Sequence, residues 1–302
     1  MPAERGVAEN EPLAPLTSFR IGGPARWFAR PKTLAGVRDA LDFSEREGSP
    51  PLFLGGGNNL LVADAGVDGL VVRLDPGGDF GRIEQDADDP LVWRVGAAAS
   101  FPKLVADTLR RGVSGLEEFA GIPGSVGGAA AMNAGSARRG LGGFVRSALV
   151  SGADGATRRI AAEDMEFRYR GSSLAGSLAL EFEFRFASLE PPAELLDRAR
   201  RVREEKVRNQ PLDQPSAGCI FKNPAGDSAG MLLDAAGSKG MREGGAAVSD
   251  RHANFIVNVG DATAYEVAAL AARMRNAVRA RFGVELEPEV RCWGFELSAC
   301  FS

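Results

Sequence analysis

Apolar and polar positions along the chain predict short strands alternating with amphipathic helices. Leu34, Val37, Leu41 and Phe43 recur at helical spacing and predict a helix over 33–47, with Thr33 as its N-cap. Leu52, Phe53 and Leu54 form a short apolar run into Gly55, Gly56 and Gly57; Asn58 and Asn59 follow, then Leu60, Leu61 and Val62. Apolar strands are expected over 69–74 and 91–97, and a helix over 101–111 with Leu104, Val105 and Leu109 on its inner side. A hairpin is expected over 147–160 around Asp154 and Gly155, a favoured two-residue turn. Leu178, Leu180, Phe182, Phe184 and Phe186 alternate with Ala179, Glu181, Glu183 and Arg185, the period of a half-buried strand.

Composition shifts at 190–192, where a charged helix is expected to run over 193–208, followed by Pro211 and Pro215; a domain boundary is placed there. Beyond it the pattern predicts strands over 219–221 and 254–259. A helix over 263–281 presents Val267, Leu270, Met274 and Val278 on one stripe and stops at Gly283, and a last strand is expected over 284–290. Strand, helix and strand in succession indicate α/β units, and the chain shows no internal repeat.

The 302 residues are 44% hydrophobic and 25% charged, the balance of a soluble globular protein large enough for two or three domains. The net charge of -4 carries no basic face, so a nucleic-acid partner is not expected; the Arg-rich run over 197–208 interleaves Glu204 and Glu205 and reads as a solvated helix face. Cys219, Cys292 and Cys300 form no CxxC pair and no even framework. The first 16 residues carry Glu4, Glu9 and Glu11 and lack the apolar core of a signal peptide, so reduced thiols and a cytoplasmic location are expected. No apolar stretch reaches the roughly 18 residues of a membrane span. His252 is the sole histidine, so neither a His-based metal site nor a Ser-His-Asp triad is expected.

The 38 glycines cluster beside apolar runs, notably over 55–57 and at Gly121, Gly124, Gly127, Gly128 and Gly135. Successive backbone N–H groups can converge on a phosphate where no Cβ blocks approach. Neither cluster is a G-x-x-x-x-G-K-[ST] loop, and Leu60 stands where a dinucleotide G-x-G-x-x-G would need its last glycine. Each alone reads equally as a tight structural turn; two in one α/β region, each ending in Asn, favour a nucleotide cofactor.

The motifs Thr17-Ser-Phe-Arg-Ile-Gly-Gly23, Leu54-Gly-Gly-Gly-Asn-Asn-Leu-Leu-Val62, Gly121-Ile-Pro-Gly-Ser-Val-Gly-Gly-Ala129 and Met132-Asn-Ala-Gly135 occur in this order. They are followed by Tyr169-Arg170 with Ser172 or Ser173, by Pro215-Ser-Ala-Gly-Cys-Ile-Phe-Lys-Asn-Pro224, by His252-Ala-Asn-Phe-Ile-Val-Asn258 and by Leu286-Glu-Pro-Glu-Val-Arg291. The series resembles the UDP-N-acetylenolpyruvoylglucosamine reductases over nearly the whole chain. The resemblance implies an α+β fold in which non-covalent FAD sits between two subdomains of the vanillyl-alcohol-oxidase type, with a smaller α+β domain for substrate. Its expected boundaries are 1–75 with 287–302 returning to it, 76–208, and 209–286. It also implies NADPH-driven reduction of the enolpyruvyl ether of UDP-GlcNAc-enolpyruvate to UDP-MurNAc in peptidoglycan synthesis, by a monomer. The short spacing from Arg170 to Cys219 resembles the class without an inserted tyrosine loop.

By residue match, Arg20, Ile21, Gly22, Gly55, Gly56, Gly57, Asn58, Asn59, Ile122, Pro123, Gly124, Ser125, Gly127, Gly128 and Asn133 would hold FAD. Tyr169, Lys222 and Asn223 would contact substrate, and Arg170, Cys219 and Glu289 would be catalytic. Hydride addition to an enol ether places negative charge beside the substrate carboxylate, so fixed cationic groups and a positioned acid are required. Arg170 is permanently charged and suited to a carboxylate. Glu289 can act only when protonated or paired with a cation, and Glu287 lies two residues away on the same expected strand face. Without the resemblance, Arg170 reads as a surface ion pair and Glu289 as a strand-end carboxylate. The family commonly carries serine where Cys219 stands; a thiol is the stronger acid, with an ordinary pKa of about 8.5. Its other reading is a buried small hydrophobe, with water supplying the proton. His252 reads as a hydrogen-bonded structural histidine. Covalently flavinylated oxidases, the competing class, would need His or Cys in the glycine turns, which have neither.

Overall fold

A computed structural model describes residues 6–135, 139–152 and 154–297. The chain forms two compact units, each with its own core. The first comprises 1–9, 27–56 and 69–204; the second comprises 10–26, 57–68 and 205–302.

The strands and helices run in the order β1 (Val7–Pro12), β2 (Pro24–Ala29), α1 (Leu34–Arg46), β3 (Leu52–Phe53), β4 (Leu60–Val62), β5 (Val67–Val72), β6 (Ile83–Gln85) and β7 (Val92–Gly96). Next come α2 (Phe101–Arg110), α3 (Val126–Ala131), β8 (Val145–Ser151), β9 (Thr157–Ala161), β10 (Phe167–Arg168), β11 (Gly171–Ser172), β12 (Leu178–Arg185) and α4 (Pro192–Asn209). The chain ends with α5 (Ala229–Ala235), β13 (Arg242–Glu243), β14 (Ala246–Val248), β15 (Ile256–Asn258), α6 (Ala264–Phe282) and β16 (Arg291–Trp293).

The first unit is organised on a five-stranded antiparallel sheet in the order β6-β7-β12-β8-β9. Its central strand β12 buries every second residue, as the alternation predicts, and Phe182, Phe184 and Phe186 follow one another along the buried face with centroids 5.8 Å apart. Trp93 and Phe144 add further ring contacts to Phe186. Helix α1 starts where Thr33 accepts the Gly36 N–H, and α2 starts at Ser100, which accepts from Lys103.

In the second unit, β13, β14 and β15 form an antiparallel sheet, and α6 carries the buried stripe expected of it, Val267, Leu270, Met274 and Val278. Thr263 and Glu266 close a capping box at its start, and Asp64 accepts from the N–H groups of Ala264 and Tyr265 at 2.8 and 3.2 Å. The helix ends on Gly283 at φ 70°, a left-handed C-cap open to glycine without strain.

Four expectations are corrected. The hairpin at 147–160 is present, but Gly152 donates to the Ala156 carbonyl at 2.8 Å, so the turn is longer than the Asp154-Gly155 pair. The expected strand over 219–221 is reduced to isolated bridges, Cys219 to Phe255 and Phe221 to Pro288. The last strand lies at Arg291–Trp293, just after the expected 284–290, because its partner is β4, with which it pairs in parallel. The glycine-rich segment after Gly121 is not turn throughout, since 126–131 is helical. Cys300 lies outside the described residues.

Phe184 is fully buried at the middle of the aromatic row. Phe184→Ala is expected to cost about 3–5 kcal/mol of unfolding free energy, the range for emptying a packed aromatic site. Urea denaturation of the two proteins at one pH measures the loss.

Candidate active site

In the first unit the two glycine clusters meet. A Cβ on Gly55 would lie 2.9 Å from Ser125 Oγ and 3.4 Å from Gly128 Cα, so a side chain there would press on the Ser125 hydroxyl. Ser125 caps α3 by accepting the Gly128 N–H at 3.2 Å. The backbone of α3 is in turn held to the turn between β7 and α2: Gly127 donates to the Ala97 carbonyl at 2.8 Å and Val126 to that of Ala99 at 2.9 Å. Gly124, at φ 111°, accepts from Phe101 at 2.9 Å, while Ile122 is half-buried and Pro123 exposed.

Asn133 adopts φ 42° and is built into this framework through its side chain. Its Oδ1 accepts from Gly142 at 2.9 Å and its Nδ2 donates to Arg168 at 3.0 Å. The amide thereby holds the β10–β11 hairpin, whose two-residue turn is Tyr169-Arg170. Arg170 sits half-buried at φ 57°, a conformation costly for a residue with a Cβ. Its guanidinium donates to the Gly135 carbonyl at 2.9 Å and lies 5.3 Å from the ring centroid of Tyr169.

The second unit brings together the other site residues. Arg20 is exposed at φ 56°, Ile21 is buried, and Gly22 turns at φ 122° where a Cβ would meet Val62 at 2.5 Å. Gly57 is equally confined, since a Cβ there would lie 2.2 Å from the Leu16 carbonyl, and Ser18 donates its N–H to Gly57 at 3.0 Å. The Ser18 hydroxyl donates to Ser216 at 2.6 Å, tying the 57–59 turn to the segment that leads to Cys219. Asn58 is half-buried.

Asn59 donates its side-chain N–H to the Glu289 carbonyl at 3.1 Å and accepts the Arg291 N–H at 3.0 Å through its own carbonyl. Glu289 and Val290 both donate to the Ile220 carbonyl, at 2.7 and 3.5 Å. Two donors on one carbonyl is the pattern of a β-bulge, which re-aims side chains. Glu289 is half-buried, as is Cys219, the residue beside Ile220; Gly218 before it lies at φ 80°. Glu287 differs from Glu289: its carboxylate is exposed and paired with Lys222 Nζ at 3.2 Å. Asn223 uses Oδ1 to accept the first N–H of α5, from Ala229, at 3.0 Å.

His252 lies half-buried against the Phe255 ring, with Nδ1 accepting the Asn254 N–H at 3.2 Å. Burial, reinforced by the Lys239 cation and opposed by Asp234, holds its pKa below the ordinary value. Among the described residues no cluster of three or more His, Cys, Asp or Glu is disposed to hold a metal, and no helix is long and apolar enough to cross a membrane.

The C-terminal domain model of UDP-N-acetylenolpyruvoylglucosamine reductase matches residues 210–293, and an FAD-binding domain model matches 25–161. The reductase 2 of Symbiobacterium thermophilum is 43% identical over 95% of this chain and 92% of its own, and the Moorella thermoacetica enzyme is 40% identical over 95% and 93%. The chain belongs to the UDP-N-acetylenolpyruvoylglucosamine reductase family. The crystal structure of the Thermus caldophilus reductase superimposes with a TM-score of 0.80 at 36% identity, over 95% of this chain and 98% of that one. The protein is thus an FAD-dependent oxidoreductase of this family's type, with the α+β FAD-binding fold expected from the motifs.

Asn254, which is buried and contacts the Cys219 segment, falls inside the motif 252–258, yet sequence reasoning gave it no role. The lowered His252 pKa has a consequence for stability. Below the ordinary value of 6.5 the unfolded chain takes up a proton that the folded chain resists. Stability is therefore expected to fall as pH drops through 6.5 toward the lower folded value, and His252→Gln is expected to flatten that fall. Urea midpoints at pH 8 and 5.5 measure it; equal losses in the two proteins would contradict the assignment.

Proposed function

We propose that this chain reduces the enolpyruvyl ether of UDP-GlcNAc-enolpyruvate to the lactyl ether of UDP-MurNAc, with NADPH as hydride donor and non-covalently held FAD. One observation carries the residue assignment. Asn59 donates to Glu289, and Glu289 donates to Ile220 beside Cys219, so a glycine-turn asparagine, a carboxylate and a thiol share one backbone network.

The residues fit FAD. In the first unit a Cβ at Gly55 would fill the space between the glycine runs, which leaves backbone N–H groups accessible to a diphosphate. Gly55, Gly56, Ile122, Pro123, Gly124, Ser125, Gly127 and Gly128 would hold the cofactor there, and Arg20, Ile21, Gly22, Gly57, Asn58 and Asn59 would do so from the second unit. Asn133 serves FAD through the backbone it fixes, since its amide is committed to Gly142 and Arg168. FAD bound there would supply the hydride-transfer chemistry that links NADPH to the enolpyruvyl substrate.

The chain's own residues stabilise and then protonate what results. Arg170 holds the substrate carboxylate against the developing negative charge. Glu289, rather than the exposed and ion-paired Glu287, supports that charge in its protonated form. Cys219 gives its Sγ proton to the carbon and regains one from solvent. Tyr169, Lys222 and Asn223 contact the nucleotide sugar, Lys222 by exchanging Glu287 for a phosphate. Residues 209–286 form the substrate domain; 1–75 with 287–302, and 76–208, form the flavin subdomains. The enzyme acts in the cytoplasm as a monomer, with no membrane or nucleic-acid partner.

Anaerobic stopped-flow absorbance separates the two half-reactions. Cys219→Ala is expected to slow reoxidation of the NADPH-reduced flavin by the enolpyruvyl substrate by about 10²–10⁴-fold, the scale of a lost general acid, with flavin reduction unchanged. Wild-type reoxidation in that variant would sink the thiol assignment. Arg170→Met is expected to lower the same step by about 10²–10³-fold, as for the loss of a charge-stabilising group. Glu289→Gln tests the carboxylate, and Glu287→Gln is expected to leave reoxidation at saturating substrate intact.

A further inference from the structure

Asn254 is 1% exposed and none of its polar groups is idle. Its Nδ2 donates to the Phe221 carbonyl at 2.8 Å and its Oδ1 accepts the Phe221 N–H at 2.9 Å. Its own carbonyl accepts the Ile220 N–H at 2.9 Å, and its N–H is anchored on His252. A side-chain amide that closes both polar groups of one residue replaces the neighbouring strand that Phe221 lacks on that side. The segment belongs to no continuous ladder: among the described residues its strand pairing consists of isolated bridges, Cys219 to Phe255 and Phe221 to Pro288, and the Asn254 amide adds to them. Two consequences follow for the site. Cys219 is two residues from the clamped Phe221 and one from the clamped Ile220. Glu289 hangs on the Ile220 carbonyl, so its location is set through the same residue.

We infer that Asn254 is a positioning residue, fixing Cys219 and Glu289 together through the Ile220-Phe221 peptide; the inference rests on the roles proposed above for those two side chains. Asn254 touches neither substrate nor flavin in this role. It keeps the thiol and the carboxylate in register with the reacting carbon, where a displacement of about 1 Å can cost on the order of 10²-fold in rate. A residue needed only for the fold would affect both half-reactions and flavin retention alike. A positioning residue affects the step that uses Cys219 and Glu289.

The test uses the flavin-loaded full chain at pH 8. Asn254→Asp keeps the acceptor for the Phe221 N–H and removes the donor to its carbonyl. Substrate-dependent flavin reoxidation is expected to fall about 10–100-fold while NADPH reduces the flavin within about twofold of wild type. Equal slowing of both half-reactions, or no slowing of either, overturns the inference. Should the aspartate variant retain no flavin, Asn254→Ser, which removes the amide without adding charge, carries the same comparison. A serine variant that also loses flavin and cooperative unfolding assigns Asn254 to the fold alone and overturns it too. Cys219→Ala run in parallel separates the two readings. If it reoxidises normally, the thiol assignment itself fails and takes the positioning role with it. If it is slow while the Asn254 variants are fast, the positioning role alone fails.

Discussion

Glycine turns packed so closely that a Cβ would strike a neighbour are the constraint on which the candidate site depends. A Cβ at Gly57 would lie 2.2 Å from the Leu16 carbonyl, one at Gly22 2.5 Å from the Val62 side chain, and one at Gly55 2.9 Å from the Ser125 hydroxyl. A substitution at Gly57 would also have to adopt φ 67°. The consequence is chemical as well as steric. Close approach leaves peptide N–H groups as the available donors along the turns, and these carry no net charge, so the fixed cation of the chemistry must come from elsewhere in the chain. Arg170, the cation proposed for that role, stands on a two-residue turn at φ 57°, a conformation that persists because Asn133 and Gly135 hold the turn from both sides.

The second recurring device is the side-chain amide used as a piece of backbone. Asn133 joins Gly142 to Arg168, Asn59 reaches the Glu289 carbonyl, Asn258 donates to Phe19 at 3.2 Å, and Asn254 clamps Phe221. Each acts where a segment carrying a site residue has too few ladder bonds to hold itself. An amide has both a donor and an acceptor and no charge to desolvate, so it satisfies a buried peptide where a carboxylate or ammonium would pay a solvation penalty.

What the sequence made legible follows from range. Thr33, Ser100, Thr263 and Gly283 act on groups a few residues away, and the helices they bound lie within a residue or two of expectation. The alternation of β12 was readable because each residue's exposure depends on its own strand. The partners of other segments are set from a distance. Residues 219–221 look like a strand but bond to Asn254, Phe255 and Glu289, none of which spacing could nominate. Residues 284–290 likewise looked like a strand, whereas the pairing falls on Arg291–Trp293, opposite β4. Motif order carried what periodicity did not: Arg170, Cys219 and Glu289 are ordinary residues until their neighbours in sequence identify the family.

Cys219 shows why a change of residue type at such a position is tolerable. Serine and cysteine differ little in size, and the backbone on either side of this position is fixed by its neighbours. Gly218 turns at φ 80° immediately before it, and Ile220 and Phe221 are held immediately after it. Direction is therefore set by the chain on both sides, leaving acidity as the variable. A thiol is by nature a stronger acid than an alcohol, so in the role proposed for Cys219 the exchange alters the strength of the proton donor and leaves in place the backbone that aims it.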